Sequence, residues 1–106
     1  MENLVVVLVT APAGEPGLEL ARGLVALGVC ACVNVVPGVT SVYRWQGEIC
    51  EEDEVLLVIK TTAAGVQRLE QAVLEAHPYD TPEFVVVDPV HVEGKYAAWV
   101  LGEVEA

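Results

Sequence analysis

The sequence predicts an α+β domain, and three features carry that prediction. These are short β-branched runs of strand length, two stretches with apolar residues at helical spacing, and turn clusters between them. Leu4–Leu8 is a continuous apolar run, read as a strand buried on both faces, and Thr10-Ala11-Pro12-Ala13-Gly14 reads as the turn that closes it. Pro16 suits a first helical turn. Leu18, Ala21, Leu24 and Val25 then recur at helical spacing, and Gly28 stops the helix.

From Val29 the pattern is extended through Trp45, with Pro37-Gly38 marking an edge or a bulge. Gln46-Gly47 is a tight turn. Glu51–Glu54 reads as a charged entry to a buried strand over Val55–Ile59. Thr61 and Thr62 are N-cap residues for a second helix, in which Val66, Leu69, Val73 and Ala76 step by three or four. His77-Pro78 ends that helix, because the residue before proline avoids helical angles. Phe84–Val87 is a fourth strand, and a short last helix carries Tyr96, Trp99 and Val100 on one stripe.

The resulting order, βαββαβ with an additional C-terminal helix, is the ferredoxin-like split βαβ arrangement. It predicts one domain over residues 1–106, without linker or repeat. One length stands out. Ala31 to Trp45 spans about 50 Å if extended at roughly 3.3 Å per residue, whereas a domain of this size has a radius of gyration near 13 Å, hence a diameter of about 35 Å. The second and third strands must therefore bend at Pro37-Gly38 or project as a long hairpin. A projecting arm with Val39, Val42, Tyr43, Trp45 and Ile49 exposes apolar surface and open backbone edges, which another copy of the chain would cover.

Charge narrows the function classes. Sixteen acids against five Lys and Arg leave a formal net charge of −11. Such a chain repels phosphate backbones and anionic membrane surfaces, so neither nucleic acid nor membrane is expected as a partner. The Leu4–Val9 run is too short for a membrane span or a signal-peptide core, and a cytoplasmic location is expected. Cys30, Cys32 and Cys50 are odd in number and form no C-x-x-C pair, as expected of free thiols in a reducing compartment.

Several words in the chain, taken together, are distinctive. Thr10-Ala11-Pro12, Ala31-Cys32-Val33-Asn34, Pro37-Gly38, Ser41-Val42-Tyr43-Arg44-Trp45-Gln46-Gly47, Lys60-Thr61, His77-Pro78-Tyr79 and Pro82-Glu83 occur in order, with Trp99 in the last helix. This pattern resembles the CutA divalent-cation-tolerance family over nearly the whole chain. The resemblance implies a homotrimer built by strands pairing across subunits, similar to PII signalling proteins, and a link to tolerance of copper and other divalent cations. No tightly bound cofactor is expected, and copper or another divalent cation is the candidate ligand. Where some family members carry a second cysteine just before the Thr-Ala-Pro word, this chain has Val9, which weakens a two-thiolate copper site.

The candidate metal ligands are Cys32 and His77, since thiolate and imidazole suit copper and zinc. Each has a plain structural reading as well: a strand cysteine as a small buried hydrophobe, and a histidine satisfying the last carbonyls of its helix. Cys30 shares a strand face with Cys32 if the period-two pattern holds there. Cys50 and His91 are read as incidental. The acids Glu48, Glu51, Glu52, Asp53 and Glu54 lack ordered calcium-ligand spacing and read as a solvated face. Tyr43, Arg44, Trp45, Lys60, Tyr79, Glu83 and Trp99 form the second candidate set. The resemblance places several of them at clefts between subunits, either as aromatic interface anchors or as walls of a pocket for a small anion or metabolite. No word for nucleophilic catalysis, a P-loop or a dinucleotide site is present, and a non-enzymatic role is expected.

Overall fold

β1 (Leu4–Pro12), α1 (Glu15–Ala26), β2 (Cys32–Trp45), β3 (Glu48–Thr62), a 3-10 turn (Ala63–Gly65), α2 (Val66–Ala76), β4 (Val85–Val87) and α3 (Gly94–Glu103) follow in that order in the computed structural model, which describes residues 3–105. The sheet order is β2-β3-β1-β4, and every neighbouring pair is antiparallel. β1 and β2 thus run parallel with β3 between them, which is the ferredoxin-like arrangement that the element order predicts. Among the described residues no helix is long and apolar enough to cross a membrane.

Alternation along the strands builds the core. Val5, Val7, Val9 and Ala11 of β1, with Val55, Leu57 and Ile59 of β3, point to one face of the sheet. They pack against Leu20, Ala21 and Leu24 of α1 and Leu69 and Val73 of α2. Helix α1 approaches the sheet closely at Gly17, where a Cβ would lie 2.7 Å from the Pro12 carbonyl oxygen and 2.5 Å from Val55 Cγ2. The expected burial of β1 on both faces does not hold: Val6 and Leu8, on the second face, remain partly exposed. α3 covers only one end of that face, where Val100 is fully buried and Tyr96 lies near Cys32.

Several boundaries differ from the sequence-based expectation. β1 continues through Thr10–Pro12, because these residues pair with Leu56–Glu54 of the long third strand; Pro12, which lacks an N–H, sits at its last position. The acidic stretch Glu51–Glu54 is strand rather than entry, since β3 runs unbroken from Glu48. β2 begins at Cys32, and Thr61 and Thr62 close β3. The Thr62 hydroxyl accepts from the Gly65 N–H at 3.0 Å and caps the 3-10 turn ahead of α2, while the Thr61 hydroxyl donates to the Val29 carbonyl at 2.9 Å.

Pro37-Gly38 forms a bulge between Val36 and Val39, and the two strands continue beyond it. Since β1 pairs with β3 only as far as Glu54, the pairs from Thr40↔Asp53 to Trp45↔Glu48 form a two-stranded ribbon with no further neighbour. This ribbon draws the molecule out to 44 × 27 × 22 Å with a radius of gyration of 14.2 Å. A lone hairpin is marginal in water. The arm nevertheless exposes Val42 (66%) and Ile49 (67%), so its apolar surface is uncovered within one chain.

Candidate functional site

The arm and the segment after α2 enclose the principal cleft, which has a volume of about 650 Å³. Cross-strand register explains its walls. Ser41, Tyr43 and Trp45 pair with Glu52, Cys50 and Glu48, so these residues share the face of the ribbon that continues the second face of the sheet. The segment after α2 brings Tyr79, Asp80, Thr81 and Glu83 across from them, and Thr10 and Glu54 line the floor.

The polar contacts order this cleft. The Tyr43 hydroxyl donates to Glu52 Oε1 at 2.5 Å, and the Tyr79 hydroxyl donates to Glu54 Oε2 at 2.8 Å. Glu54 is 5% exposed, so the Tyr79 hydroxyl answers a largely desolvated carboxylate. The hydrogen bond to the Glu52 carboxylate, more than burial, pushes the Tyr43 phenol up to about 12. Burial and then the bond to Glu54 push the Tyr79 phenol upward, and burial followed by the Glu54 charge raises the Glu83 carboxyl. Four carboxylates and three aromatic rings therefore face one concavity, and no Lys, Arg or His lines it among the described residues.

His77 holds the Tyr79 wall in place. As the C-cap of α2 it has extended geometry (φ −74°, ψ 137°), which turns the chain toward the sheet end. Its Nδ1 accepts from the Tyr79 N–H at 3.2 Å, which leaves Nε2 as the protonated nitrogen, donating to the Thr10 carbonyl at 2.8 Å. The ring also packs on Tyr79 with centroids 4.5 Å apart. Its partner is thus the Thr10 carbonyl rather than the last carbonyls of its own helix, and neither nitrogen is left for a metal.

Cys32 lies elsewhere. It sits opposite Lys60, and Lys60 opposite Val6, whereas His77 meets β1 at Thr10. The Val6-to-Thr10 stretch, about 13 Å at roughly 3.3 Å per residue, keeps the two apart. Cys30 precedes β2, so strand alternation does not apply to it; it belongs to the core cluster. Burial and the nearby Cys32 push the Cys30 thiol up to about 11. A copper ion needs several soft or imidazole donors around one point. Among the described residues no three His, Cys, Asp or Glu side chains converge in that way. The described residues of a single chain therefore do not fit a copper site.

Of the second candidate set, the fold assembles Tyr43, Trp45, Tyr79 and Glu83 in the cleft. Arg44 alternates to the reverse face of the arm, with Ile49 opposite. The Lys60 ammonium bonds to the Asn34 side-chain oxygen and to the Val58 carbonyl, and Trp99 stacks near Tyr96 on α3 at 5.8 Å. None of these three reaches the cleft within one chain. Glu52 and Glu54 were missed as part of a solvated acidic run. Their i, i+2 spacing on one strand face is the signal that marks them.

The chain matches the family described as CutA1 divalent ion tolerance protein over residues 5–103. It belongs to the CutA divalent-cation tolerance family. The divalent-cation tolerance protein CutA of Thermus thermophilus is 43% identical over 95 residues, covering 90% of this chain and 92% of that protein. A solved structure of the Thermus thermophilus protein superposes with a TM-score of 0.91 at 41% identity, covering 99% of this chain and 100% of that one. A structure described as the PII-like protein CutA from a Nostoc species, in apo form, superposes with a TM-score of 0.90 at 41% identity, with coverages of 95% and 97%. Both likenesses span this CutA chain almost end to end, including the projecting arm.

Proposed function

We propose that this CutA protein serves divalent-cation tolerance as a cytoplasmic, non-enzymatic homotrimer that signals metal status through a ligand in the cleft beneath its arm. The observation that carries this reading is the cleft itself. It has a volume of about 650 Å³ and aromatic walls from Tyr43, Trp45 and Tyr79, with polar groups facing inward. Small-molecule sites have this character: concave, largely pre-formed, of roughly 300–1,000 Å³, with a few placed polar groups. The Nostoc relative's description as PII-like supports a sensing role in place of sequestration. Copper is the cation to test first.

Chelation by one chain is the competing reading, and copper calorimetry separates the two. Cu²⁺ titrated into the wild type, His77→Ala and Cys32→Ser, each at matched oligomeric state, is expected to produce the same isotherm within error. Any uptake then comes from surface acids. A tight binding event in the wild type that vanishes in both variants would return the function to direct metal binding, with the missing donors supplied by another subunit.

A further inference from the structure

We propose that His77 is a pH-sensitive clasp: its neutral ring pins residues 78–83 to the end of β1, and a proton added at Nδ1 releases them. The clasp lies within one chain and needs no ligand. Its bearing on function rests on the reading of the cleft as the ligand site, because Tyr79, Asp80, Thr81 and Glu83 of the pinned segment form one of its walls.

The segment has little else to hold it. Residues 78–83 form neither helix nor strand. Among the described residues they make two hydrogen bonds, both from Tyr79: its N–H donates to His77 Nδ1 at 3.2 Å and its hydroxyl to Glu54 Oε2 at 2.8 Å. The imidazole is anchored on its other side, where Nε2 donates to the Thr10 carbonyl at 2.8 Å, and the residue is only 7% exposed. A carbonyl only accepts and a backbone N–H only donates, so these partners admit one state of the ring, the neutral tautomer protonated at Nε2. A second proton, on Nδ1, sets two N–H groups against each other. The Tyr79 N–H then loses its acceptor, and the Tyr79 ring packed 4.5 Å away does not replace it.

The direction follows from the bonded state. It requires the neutral ring, so it holds at higher pH and gives way as pH falls; histidine is the side chain suited to such a change near neutrality. Other ionisable groups surround the ring. β1 carries none, β3 brings Glu52 and Glu54, the segment itself brings Tyr79, Asp80 and Glu83, and α2 brings Glu75, while Glu15 of α1 is paired with Arg22. None of them bonds to the imidazole, whose two partners are both backbone groups. Glu83 has the opposite sign: burial and then the Glu54 charge raise its carboxyl in the folded chain, so its protonation favours the folded segment as pH falls. An acid-driven release therefore points to His77.

The test is hydrogen exchange of the full chain in EDTA at matched oligomeric state, followed from about pH 7.5 to about pH 5 and corrected for the intrinsic pH dependence of exchange. Pro78 and Pro82 have no N–H, so the amides of Tyr79, Asp80, Thr81 and Glu83 report on the segment. Their protection is expected to fall about tenfold or more as pH drops, with the midpoint at which the His77 ring signals titrate by NMR. His77→Gln carries an amide that donates and accepts without titrating, and its protection is expected to stay level across the range. His91→Gln, at the exposed second histidine, and Glu83→Gln are expected to keep the acid loss. If His77→Gln does not fold, the wild type decides, since loss of protection and titration of His77 must share one midpoint. Protection that stays constant over the range, an acid loss with a midpoint apart from the His77 titration, or an acid loss that survives in His77→Gln would overturn the clasp. Each of these leaves the reading of the cleft standing, because no ligand takes part in the measurement.

Discussion

Replacing His77 with Ala is expected to lower stability by about 2–4 kcal/mol even in the presence of a chelator. The substitution leaves the Thr10 carbonyl and the Tyr79 N–H without their partners. Both bonds are part-buried, and a fully buried group so orphaned costs roughly 1–3 kcal/mol, which bounds each loss from above. The fall in Tm should be roughly 10–30 °C, since a domain near this size loses about 4–8 °C per kcal/mol. His77→Phe keeps the packing against Tyr79 but restores neither hydrogen bond, so it should recover only part of the loss. Thermal melting in EDTA measures all three proteins. An unchanged Tm for His77→Ala would mean that the imidazole is structurally idle, which is what a reserved metal ligand would show.

The second large effect is expected at Leu8. On the second face of the sheet, Leu8 aligns with Val58 of β3 and Val85 of β4, and Val6 aligns with Val87. Val85 and Val87 are 48% and 42% exposed in the single chain. This apolar face and the exposed arm are what a trimer would cover. Leu8→Glu would then bury a charge without a partner, a penalty of several kcal/mol. Light scattering after size exclusion should show three chain masses for the wild type at micromolar concentration, and monomer or aggregate for Leu8→Glu. If the wild type is a monomer, or if Leu8→Glu remains trimeric with an unchanged Tm, this face is not an interface.

Much of this architecture was legible because local pattern and tertiary pairing agree. Leu18 to Val25 and Val66 to Ala76 have helical spacing, and both are helices. His77-Pro78 stops α2 as the proline rule requires. The arm followed from arithmetic, because a continuous extended run from Ala31 to Trp45 is longer than the domain is wide. The failures lie where pairing overrides composition. Thr10-Ala11-Pro12 has turn residues, yet β3 is long enough to hold it as strand. Glu51–Glu54 has loop chemistry, yet the register from Trp45↔Glu48 onward carries it through the ribbon.

The same error concealed half of the candidate site. Once residues 51–54 are taken as loop, Glu52 and Glu54 lose their shared face and become generic surface charge. The aromatic half, Tyr43, Trp45 and Tyr79, stood out because such residues are conspicuous in an acidic chain. Which nitrogen of His77 meets which backbone group depends on the return of α2 to the end of β1, a contact between residues 67 positions apart. No local pattern encodes it.

Growth under copper stress tests the central claim most directly. A strain deleted for this protein, challenged with Cu²⁺, should be rescued by the wild type and by Cys32→Ser but not by the cleft variant Glu52→Gln at equal protein level. Rescue by Glu52→Gln together with failure of Cys32→Ser would contradict the account, placing metal tolerance on the thiol instead of the cleft.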